Sequence, residues 1–381
     1  MSDARGAVVP QRFTRAVVDL RALRSNVEAL VRRAGTSELW VVVKAGAYGH
    51  GAVPCARAAL SAGARGLCVA LTQEALELRA AGIDAPIMVF SEQPVAEVPL
   101  LVRHGVVCVA YNEHYVEALA AESSRQSVRT KVHLKVDTGM HRVGVSPSAA
   151  LARAQSIINM PSLELNGIMT HLATADDPHH PATKRQLDEF RRVLSDVRSI
   201  APDMEHVHSA NSAATLRSLM PECTMVRAGI ATYGLSPGDY LATQMQNLQP
   251  VMSLHTRVAH VHRVAAGEGV SYGLRSQVSV DTTVATLPLG YADGIPRRSW
   301  DTSACVLIGG RRRRLLGVVT MDQMMVDCGD DPVNIGDEVV VFGTQSGETV
   351  SVEQWADALG TITYEVVCAI SSRVPREYIG A

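Results

Sequence analysis

LWVVVKAGAYGHG, residues 39–51, joins an apolar run to a glycine-rich turn and places one lysine between them. The run is rich in β-branched residues and predicts a fully buried strand. Lys44 follows it, and an amine at the end of a buried strand costs desolvation unless it is paired, reacts covalently or points into a site. The alternative is a strand that ends in a solvent-exposed lysine.

The turn that follows Lys44 favours a reactive lysine. An apolar pocket favours the neutral amine, which is the form that attacks an aldehyde. Tyr48 and the backbone N–H groups of the Tyr-Gly-His-Gly segment offer hydrogen bonds to an anion. A reactive amine beside an anion-binding turn suggests pyridoxal phosphate, which is an aldehyde with a phosphate group.

Length, charge and hydropathy indicate a globular protein of two or three domains. The chain has 381 residues, 47% of them hydrophobic, and a formal net charge of −2, so nothing points to nucleic acid or to an anionic membrane. No apolar run approaches the ~18 residues of a membrane span, and the N-terminal segment MSDARGAVVPQRFTR contains no hydrophobic signal region. The 7 cysteines mostly lie in apolar runs without metal-site spacing, which predicts buried thiols, no metal and a cytoplasmic location.

From residue 15 to about residue 235, short apolar runs alternate with amphipathic segments, which is the pattern of repeated β/α units. The predicted strands are Ala16–Leu20, Leu39–Val43, Gly66–Ala70, Pro86–Phe90, Val106–Ala110, Val132–Val136, Leu163–Met169 and Val207–Ala210. Eight such units predict an α/β fold whose N-terminal part is a closed (β/α)8 barrel of the TIM type. A doubly wound sheet would need a Gly-x-Gly-x-x-Gly turn after its first strand, and the sequence has none there.

The pattern changes after Leu235, where a polar segment leads into closely spaced β-branched runs separated by glycine turns. One helix is predicted in this region, at Val352–Leu359. Arg311–Arg314 follows two glycines between apolar runs and predicts the solvated rim of a hairpin. We therefore expect an N-terminal arm at residues 1–14, a cofactor-binding barrel at 15–245 and a mostly β domain at 246–381.

Polar and ionisable residues recur at the C-terminal ends of the predicted barrel strands, which is where barrel enzymes place their active sites. Lys44 follows the second strand, Lys135 lies in the sixth, and His171 follows the seventh. Beyond the eighth strand come Asn211-Ser212 and Arg227. Because the strands themselves are apolar, this recurrence predicts an active site at that end of the barrel.

VVVKAGAYGHGA closely resembles the cofactor-lysine signature of alanine racemases, a family that uses pyridoxal phosphate. KVDTGMHRVG, THLATAD, HSANSAATLR and MVRAGIATYG match further segments of the family in the same order. The resemblance implies that Lys44 attaches the cofactor, that Arg142 contacts the substrate carboxylate and that Lys135 matches a lysine often carbamylated in the family. It also places His171 behind the cofactor ring and Arg227 opposite the pyridine nitrogen. The remaining cofactor contacts implied in this way are those of Tyr48, Asn211, Ser212, Gly229 and Ile230.

Four C-terminal segments resemble the same family: GEGVSYG, LPLGYADG, TMDQMMVD and TITYEVVCAISSRVPR. The first implies that Tyr272 is the second acid/base, which acts opposite Lys44. The other implied residues are Met321 for substrate binding, Tyr291 and Asp322 near the substrate entry, and Tyr364 at the phosphate. Because Tyr272 and Met321 reach the active site of the other subunit in the family, the resemblance also implies a head-to-tail homodimer.

The implied activity is an isomerase that interconverts L-alanine and D-alanine by proton exchange on both faces of Cα, and so supplies D-alanine for peptidoglycan. A racemase of serine or another small amino acid is an alternative. A decarboxylase of the same two-domain type places a carboxylate opposite the pyridine nitrogen, where this chain has Arg227. A non-catalytic carrier of pyridoxal phosphate resembles the barrel alone and lacks the β domain that holds Tyr272.

Three positions depart from the family pattern. Gly46 stands where Asp or Asn is usual, Val318 where Arg is common, and Thr320 where Cys or Ser is commoner. Gly46 is expected to loosen the lysine turn. Val318 is expected to make the substrate entrance less polar. These departures leave the substrate range open without affecting the racemase chemistry.

Overall fold

The computed structural model describes residues 12–219 and 222–381, which divide into two compact units. One unit comprises residues 20–249, and the other combines residues 12–19 with residues 250–381. Most of the expected N-terminal arm, residues 1–11, lies outside the described residues.

Strand β1, Arg15–Asp19, corrects the first strand prediction. It pairs antiparallel with β10, Met252–Arg257, and parallel with β20, Arg376–Ile379. The prediction that Ala16–Leu20 opens the barrel is therefore wrong. Alternating apolar residues identify a half-buried strand, but they do not reveal which distant segment it pairs with.

The unit of residues 20–249 is a barrel of eight parallel strands. Strands β2 to β9 span Glu38–Val42, Gly66–Val69, Ile87–Val89, Cys108–Ala110, Thr130–Lys135, Leu163–Met169, His206–His208 and Met225–Ala228. Two four-stranded sheets, β9-β2-β3-β4 and β5-β6-β7-β8, meet at both edges. The Val107 N–H donates to Ile87 O at 2.8 Å, and the Thr224 N–H donates to Val207 O at 3.0 Å. These contacts close the ring, with β9 in the place that the sequence had given to Ala16–Leu20.

Helices alternate with these strands as the β/α pattern predicts. They span Leu20–Ala34, Ala52–Ser61, Thr72–Ala80, Val98–Arg103, Glu113–Arg125, Ala150–Ile158, Ala182–Arg198 and Ser212–Arg217, with short 3-10 helices at Val95–Glu97, Pro147–Ala149, Ile230–Tyr233 and Asp239–Leu241. The first helix buries Leu23, Val27 and Leu30, which recur at the spacing of one helical face. Each such side chain stabilises the fold by ~1.5–3 kcal/mol through removal from water.

The second unit is mostly β. Strands β11 to β19 span His260–Val264, Gly269–Val270, Ser276–Gln277, Thr282–Leu287, Cys305–Ile308, Arg311–Arg314, Met324–Gly329, Glu338–Gln345 and Glu348–Val350. Its helices are Val352–Leu359 and Thr363–Ala369, with 3-10 helices at Tyr272–Leu274, Tyr291–Asp293 and Arg297–Asp301. The predicted helix Val352–Leu359 is confirmed, and so is the hairpin in which β15 pairs with the arginine strand β16. Among the described residues, no helix is long and apolar enough to span a membrane.

Candidate active site

Lys44 opens a left-handed turn just beyond β2. The φ angles of Ala45, Gly46, Ala47 and Tyr48 are 52°, 61°, 55° and 54°. Such angles cost most residues ~1–2 kcal/mol each, whereas Gly, Asn and Asp adopt them readily. A Cβ added at Gly46 would meet nothing within 4 Å. Gly46 therefore removes strain at one of the four positions, and the family's usual Asp or Asn at this place suits the same φ.

Glu74 holds this turn from outside it. Its Oε1 accepts the Ala45 N–H at 2.5 Å, and its Oε2 accepts the N–H groups of Ala70 and Leu71 at 2.7 and 3.1 Å. One carboxylate thus ties the turn beside Lys44 to the end of β3.

Lys135 ends β6 and is only 4% exposed. Burial lowers the pKa of its amine to about 8, and the positive charges of Arg142 and Arg227 act in the same direction. Asp137 Oδ1 accepts three backbone N–H groups at 3.0 Å, those of residues 139–141, and so shapes the loop that leads to the exposed Arg142. A buried lysine and an exposed arginine therefore share one end of the barrel.

His171 follows β7 and is a neutral imidazole. Burial, together with the charges of Arg227 and Arg142, holds its pKa well below its ordinary value. Gln186 Nε2 donates to the His171 carbonyl at 3.0 Å and fixes its backbone. An Arg227 N–H lies 3.4 Å from His171 Nδ1, which can accept it because the ring is unprotonated there.

Arg227 lies in β9 and is 2% exposed. It donates to His208 Nδ1 at 2.6 Å and to the carbonyls of Thr170 and Ser209 at 3.1 and 3.2 Å. Burial lowers the pKa of its guanidinium to about 10, so the group stays charged at neutral pH. Within residues 12–219 and 222–381, it forms no ion pair with a carboxylate. A buried guanidinium that is held only by neutral acceptors indicates a ligand that supplies a further hydrogen-bond acceptor.

Ser212, Gly229 and Tyr48 lie close together. Ser212 Oγ accepts the N–H of Gly229 at 2.9 Å, and Asn211 Oδ1 caps the following helix through the Ala214 N–H at 3.0 Å. A Cβ at Gly229 would lie 2.5 Å from the Tyr48 hydroxyl oxygen, so any larger residue here would displace the Tyr48 side chain. Ile230, the next residue, is fully buried. The Ser212 hydroxyl, the Tyr48 phenol and the backbone at Gly229 and Ile230 together form a small polar cradle.

The residues at this end of the barrel fit pyridoxal phosphate. The pKa of the neutral His171 is lowered by four nearby positive charges, those of Lys44, Lys135, Arg142 and Arg227. Such a concentration of positive charge suits a phosphate and a substrate carboxylate together. The Ser212 and Tyr48 hydroxyls of the polar cradle can donate to a phosphate, and Lys44 supplies the amine that an aldehyde requires.

The second unit assembles the other predicted residues. Ser271 Oγ donates to Val318 O at 2.7 Å, so the turn of Tyr272 lies against that segment. The Tyr291 N–H donates to Thr320 O at 2.9 Å, next to Met321. Tyr272 is 69% exposed and Met321 51% exposed. The structure therefore presents both on the surface of this unit.

Four further positions singled out in the sequence lie in this unit. Val318 is 1% exposed, so its side chain lies in the core of this unit. Thr320 Oγ1 donates to Gln323 O at 2.9 Å, a turn contact that a Ser hydroxyl could equally make. Asp322 accepts from Arg373 at 2.7 Å, an ion pair that anchors the segment. Tyr364 lies in the helix Thr363–Ala369.

Sequence reasoning missed Glu74 and Gln186 and noted His208 at the end of the eighth strand without giving it a role, although each of the three holds a predicted site residue or its neighbour. His208 left a signal, because it alternates with His206 on β8 and two polar residues at that spacing share one face of a strand. Glu74 and Gln186 lie on helices, and nothing in their spacing separates them from solvated polar residues.

Comparison with known proteins agrees with the resemblance in the sequence. A family model described as alanine racemase, N-terminal domain, matches residues 18–237, and one described as alanine racemase, C-terminal domain, matches residues 251–378. The alanine racemase of Frankia casuarinae is 43% identical over 368 residues, 96% of each chain, and that of Thermobifida fusca is 43% identical over 97% of this chain and 99% of the relative. The crystal structure of alanine racemase from D-cycloserine-producing Streptomyces lavendulae matches with a TM-score of 0.93 at 40% identity, over 98% of both chains. The chain belongs to the alanine racemase family.

Proposed function

We propose that this protein binds pyridoxal phosphate through Lys44 and interconverts L-alanine and D-alanine. The observation that carries the proposal is Arg227, a fully buried cation held by His208 and two carbonyls at the mouth of the barrel. A decarboxylase of the same two-domain type would have a carboxylate in its place. The family membership and the cation cluster around His171 support the same assignment.

The residues proposed to hold the cofactor divide by what they bind. Lys44 would bind the aldehyde carbon, and Arg227 would donate to the pyridine nitrogen. Tyr48, Ser212 and the backbone at Gly229 and Ile230 bind the phosphate, because they meet in the polar cradle. The further contacts proposed from the family resemblance are those of His171, Asn211 and Tyr364.

Bound pyridoxal phosphate withdraws electrons from the Cα of an attached amino acid and so makes the Cα proton removable. Arg227 limits this withdrawal, because a guanidinium has no acceptor atom and leaves the pyridine nitrogen without a proton. With the cofactor bound, the Cα of the substrate would keep more of its negative charge and would regain a proton quickly. Racemisation is favoured over reactions that need a longer-lived carbanion.

Racemisation needs a proton donor and acceptor on each face of Cα. We assign Lys44 Nζ to one face and the Tyr272 hydroxyl to the other, while Arg142 orients the substrate carboxylate. Tyr272 and Met321 would come from a second copy of the chain in a head-to-tail homodimer. Their exposure, 69% and 51%, supports this use.

Chiral chromatography of L-alanine and L-serine, incubated with the cofactor-loaded protein, tests the proposal. L-Alanine should become an equal mixture of enantiomers, faster than L-serine, and Lys44→Ala should abolish the change. A faster reaction with serine would assign the protein to that substrate. Alanine that stays in the L form, or that is converted to ethylamine, would contradict racemase function.

A further inference from the structure

A line of buried side chains crosses the barrel interior from Arg227. Arg227 Nη1 lies 2.6 Å from His208 Nδ1, and His208 Nε2 lies 2.8 Å from His133 Nδ1. His133 Nε2 lies 3.3 Å from Asn166 Oδ1. These four side chains are between 0% and 3% exposed. Only Arg227, the first of these side chains, has a role in the proposed racemisation.

The two ends of this line set the direction of its bonds: Arg227 can only donate, and Asn166, whose Nδ2 donates to carboxylates, presents Oδ1 to His133 as an acceptor. Because Arg227 can only donate, His208 Nδ1 must accept, and the proton of His208 is therefore on Nε2. That proton is donated to His133 Nδ1, so the proton of His133 is also on Nε2 and is donated to Asn166 Oδ1. Burial lowers the pKa of His133 to about 3 and that of His208 well below its ordinary value, so both rings are neutral.

The line ends on two carboxylates at the opposite end of the barrel. Asn166 Nδ2 donates to Glu164 Oε1 at 3.0 Å and to Glu205 Oε2 at 2.9 Å. Glu164 lies at the start of β7, and Glu205 directly precedes β8, whereas Arg227 lies near the end of β9. An amide is suited to this place because it accepts from His133 and donates to the carboxylates at once.

A register shift between β6 and β7 positions two side chains of this line. Val132 pairs with Leu165 and His133 with Gly167, so Asn166 is an extra residue in the β6–β7 register. Such bulges re-aim a side chain and are typical of positions near active sites. A Cβ at Gly167 would lie 2.8 Å from the His133 ring, so the glycine provides the space for the imidazole.

We propose that His133 and Asn166 are positioning residues for Arg227, which they hold by fixing the tautomer of His208. This inference rests on the proposed function for the role of Arg227. If Asn166 were lost, the buried Nε2 proton of His133 would have no acceptor, which favours the reversed tautomer of that ring. Its Nδ1 proton would then oppose the Nε2 proton of His208 at 2.8 Å and favour reversal of His208 as well. A proton on His208 Nδ1 would then face an Arg227 N–H at 2.6 Å, and the guanidinium would have to move.

Nitrogen NMR of protein labelled with ¹⁵N-histidine tests the tautomers, and the absorption maximum of the cofactor-loaded protein tests the consequence for Arg227. In the parent protein, His133 and His208 should both be protonated on Nε2 alone. Asn166→Leu should give mixed tautomers, shift the absorption maximum and lower kcat for alanine by about 2- to 30-fold, the range that such couplings span. The KM should not change, because Arg142 and not Arg227 is assigned to the substrate carboxylate.

Asn166→Gln is the conservative variant, because it keeps an amide that can accept from His133 and donate to the carboxylates, and it should retain the Nε2 tautomers and turnover within about twofold. If Asn166→Leu does not fold, His133→Phe keeps a ring in the same space and should free the tautomer of His208. Asp203→Asn is the control for a general effect of charge, since Asp203 is exposed two residues from Glu205 and outside the line. Asp203→Asn should leave the histidine tautomers, the absorption maximum and kcat unchanged.

Unchanged tautomers and an unchanged absorption maximum in both Asn166→Leu and His133→Phe would overturn the positioning role. The same result would follow if Asp203→Asn reproduced the effects. A protein that shows the predicted tautomers and absorption shift but does not racemise alanine would refute the proposed function and leave the line of hydrogen bonds supported. The two failures are therefore distinguishable.

Discussion

Lys135 should carry a carbamate formed from dissolved carbon dioxide. Its pKa is lowered from 10.5 to about 8 by burial and by the nearby Arg142 and Arg227. At pH 7 a pKa of 8 leaves roughly one amine in ten neutral, against roughly one in three thousand for a pKa of 10.5, a difference of about 300-fold. The neutral nitrogen attacks the carbon of CO2, an N–C bond forms and a proton leaves to solvent. The resulting negative charge would offset the cations around it.

Carbon NMR of the protein in ¹³C-bicarbonate measures this directly. One carbamate resonance per chain is expected, and its intensity should grow between pH 7 and pH 9 as the neutral amine becomes dominant. Lys135→Gln should remove the resonance. Lys131→Gln should keep it, because Lys131 lies on the same strand with its side chain 49% exposed. A resonance that survives in Lys135→Gln, or that never appears in the parent protein, would refute the reasoning.

Three further predictions concern stability, the lysine turn and proton transfer. Burial lowers the pKa of His133 from 6.5 to about 3, so its contribution is fully present above pH 6.5 and falls as acid protonates only the unfolded chain. The free energy of unfolding, measured in urea, should fall by up to about 1.4 kcal/mol per pH unit between pH 6.5 and 3 because of this residue. The fall should be smaller in His133→Gln and unchanged in the exposed-site control His114→Gln. Equal slopes in all three proteins would exclude a contribution from His133. Gly46→Asn should preserve the affinity for the cofactor, measured by absorption. Gly46→Val should weaken the binding free energy by ~1–2 kcal/mol, because valine is strained at a left-handed φ. Equal affinities of the two variants would argue against strain in this turn. Tyr272→Phe should lower L-to-D turnover by about 10²–10⁴-fold while the exposed-site control Tyr240→Phe does not, and full turnover in Tyr272→Phe would remove that residue from the mechanism.

The sequence predicts the barrel well because its β/α units repeat locally, but it misplaces one strand. Arg15–Asp19 has the alternation of a strand, and its partners at residues 252–257 and 376–379 are set by pairing across the whole chain. The strand that closes the ring instead, Met225–Ala228, is short and contains Arg227. A charged residue inside a four-residue strand hides the apolar pattern on which strand prediction depends.

The candidate site was largely predictable because its residues follow the ends of recognisable strands. Lys44, Lys135 and His171 needed only the expectation that a barrel gathers its chemistry at one end. The line from Arg227 through His133 to Asn166 was not predictable, because it depends on a bulge in the β6–β7 register. A register shift of one residue leaves no trace in composition or spacing.

The assignment on which the other steps depend is that Lys44 holds the cofactor. Borohydride reduction of the protein loaded with pyridoxal phosphate, followed by mass spectrometry of its peptides, locates the attached group. One pyridoxyl group per chain is predicted, on the peptide that contains Lys44, and Lys44→Arg should remove it. A label on Lys135 or any other lysine, or no label at all, would contradict the assignment.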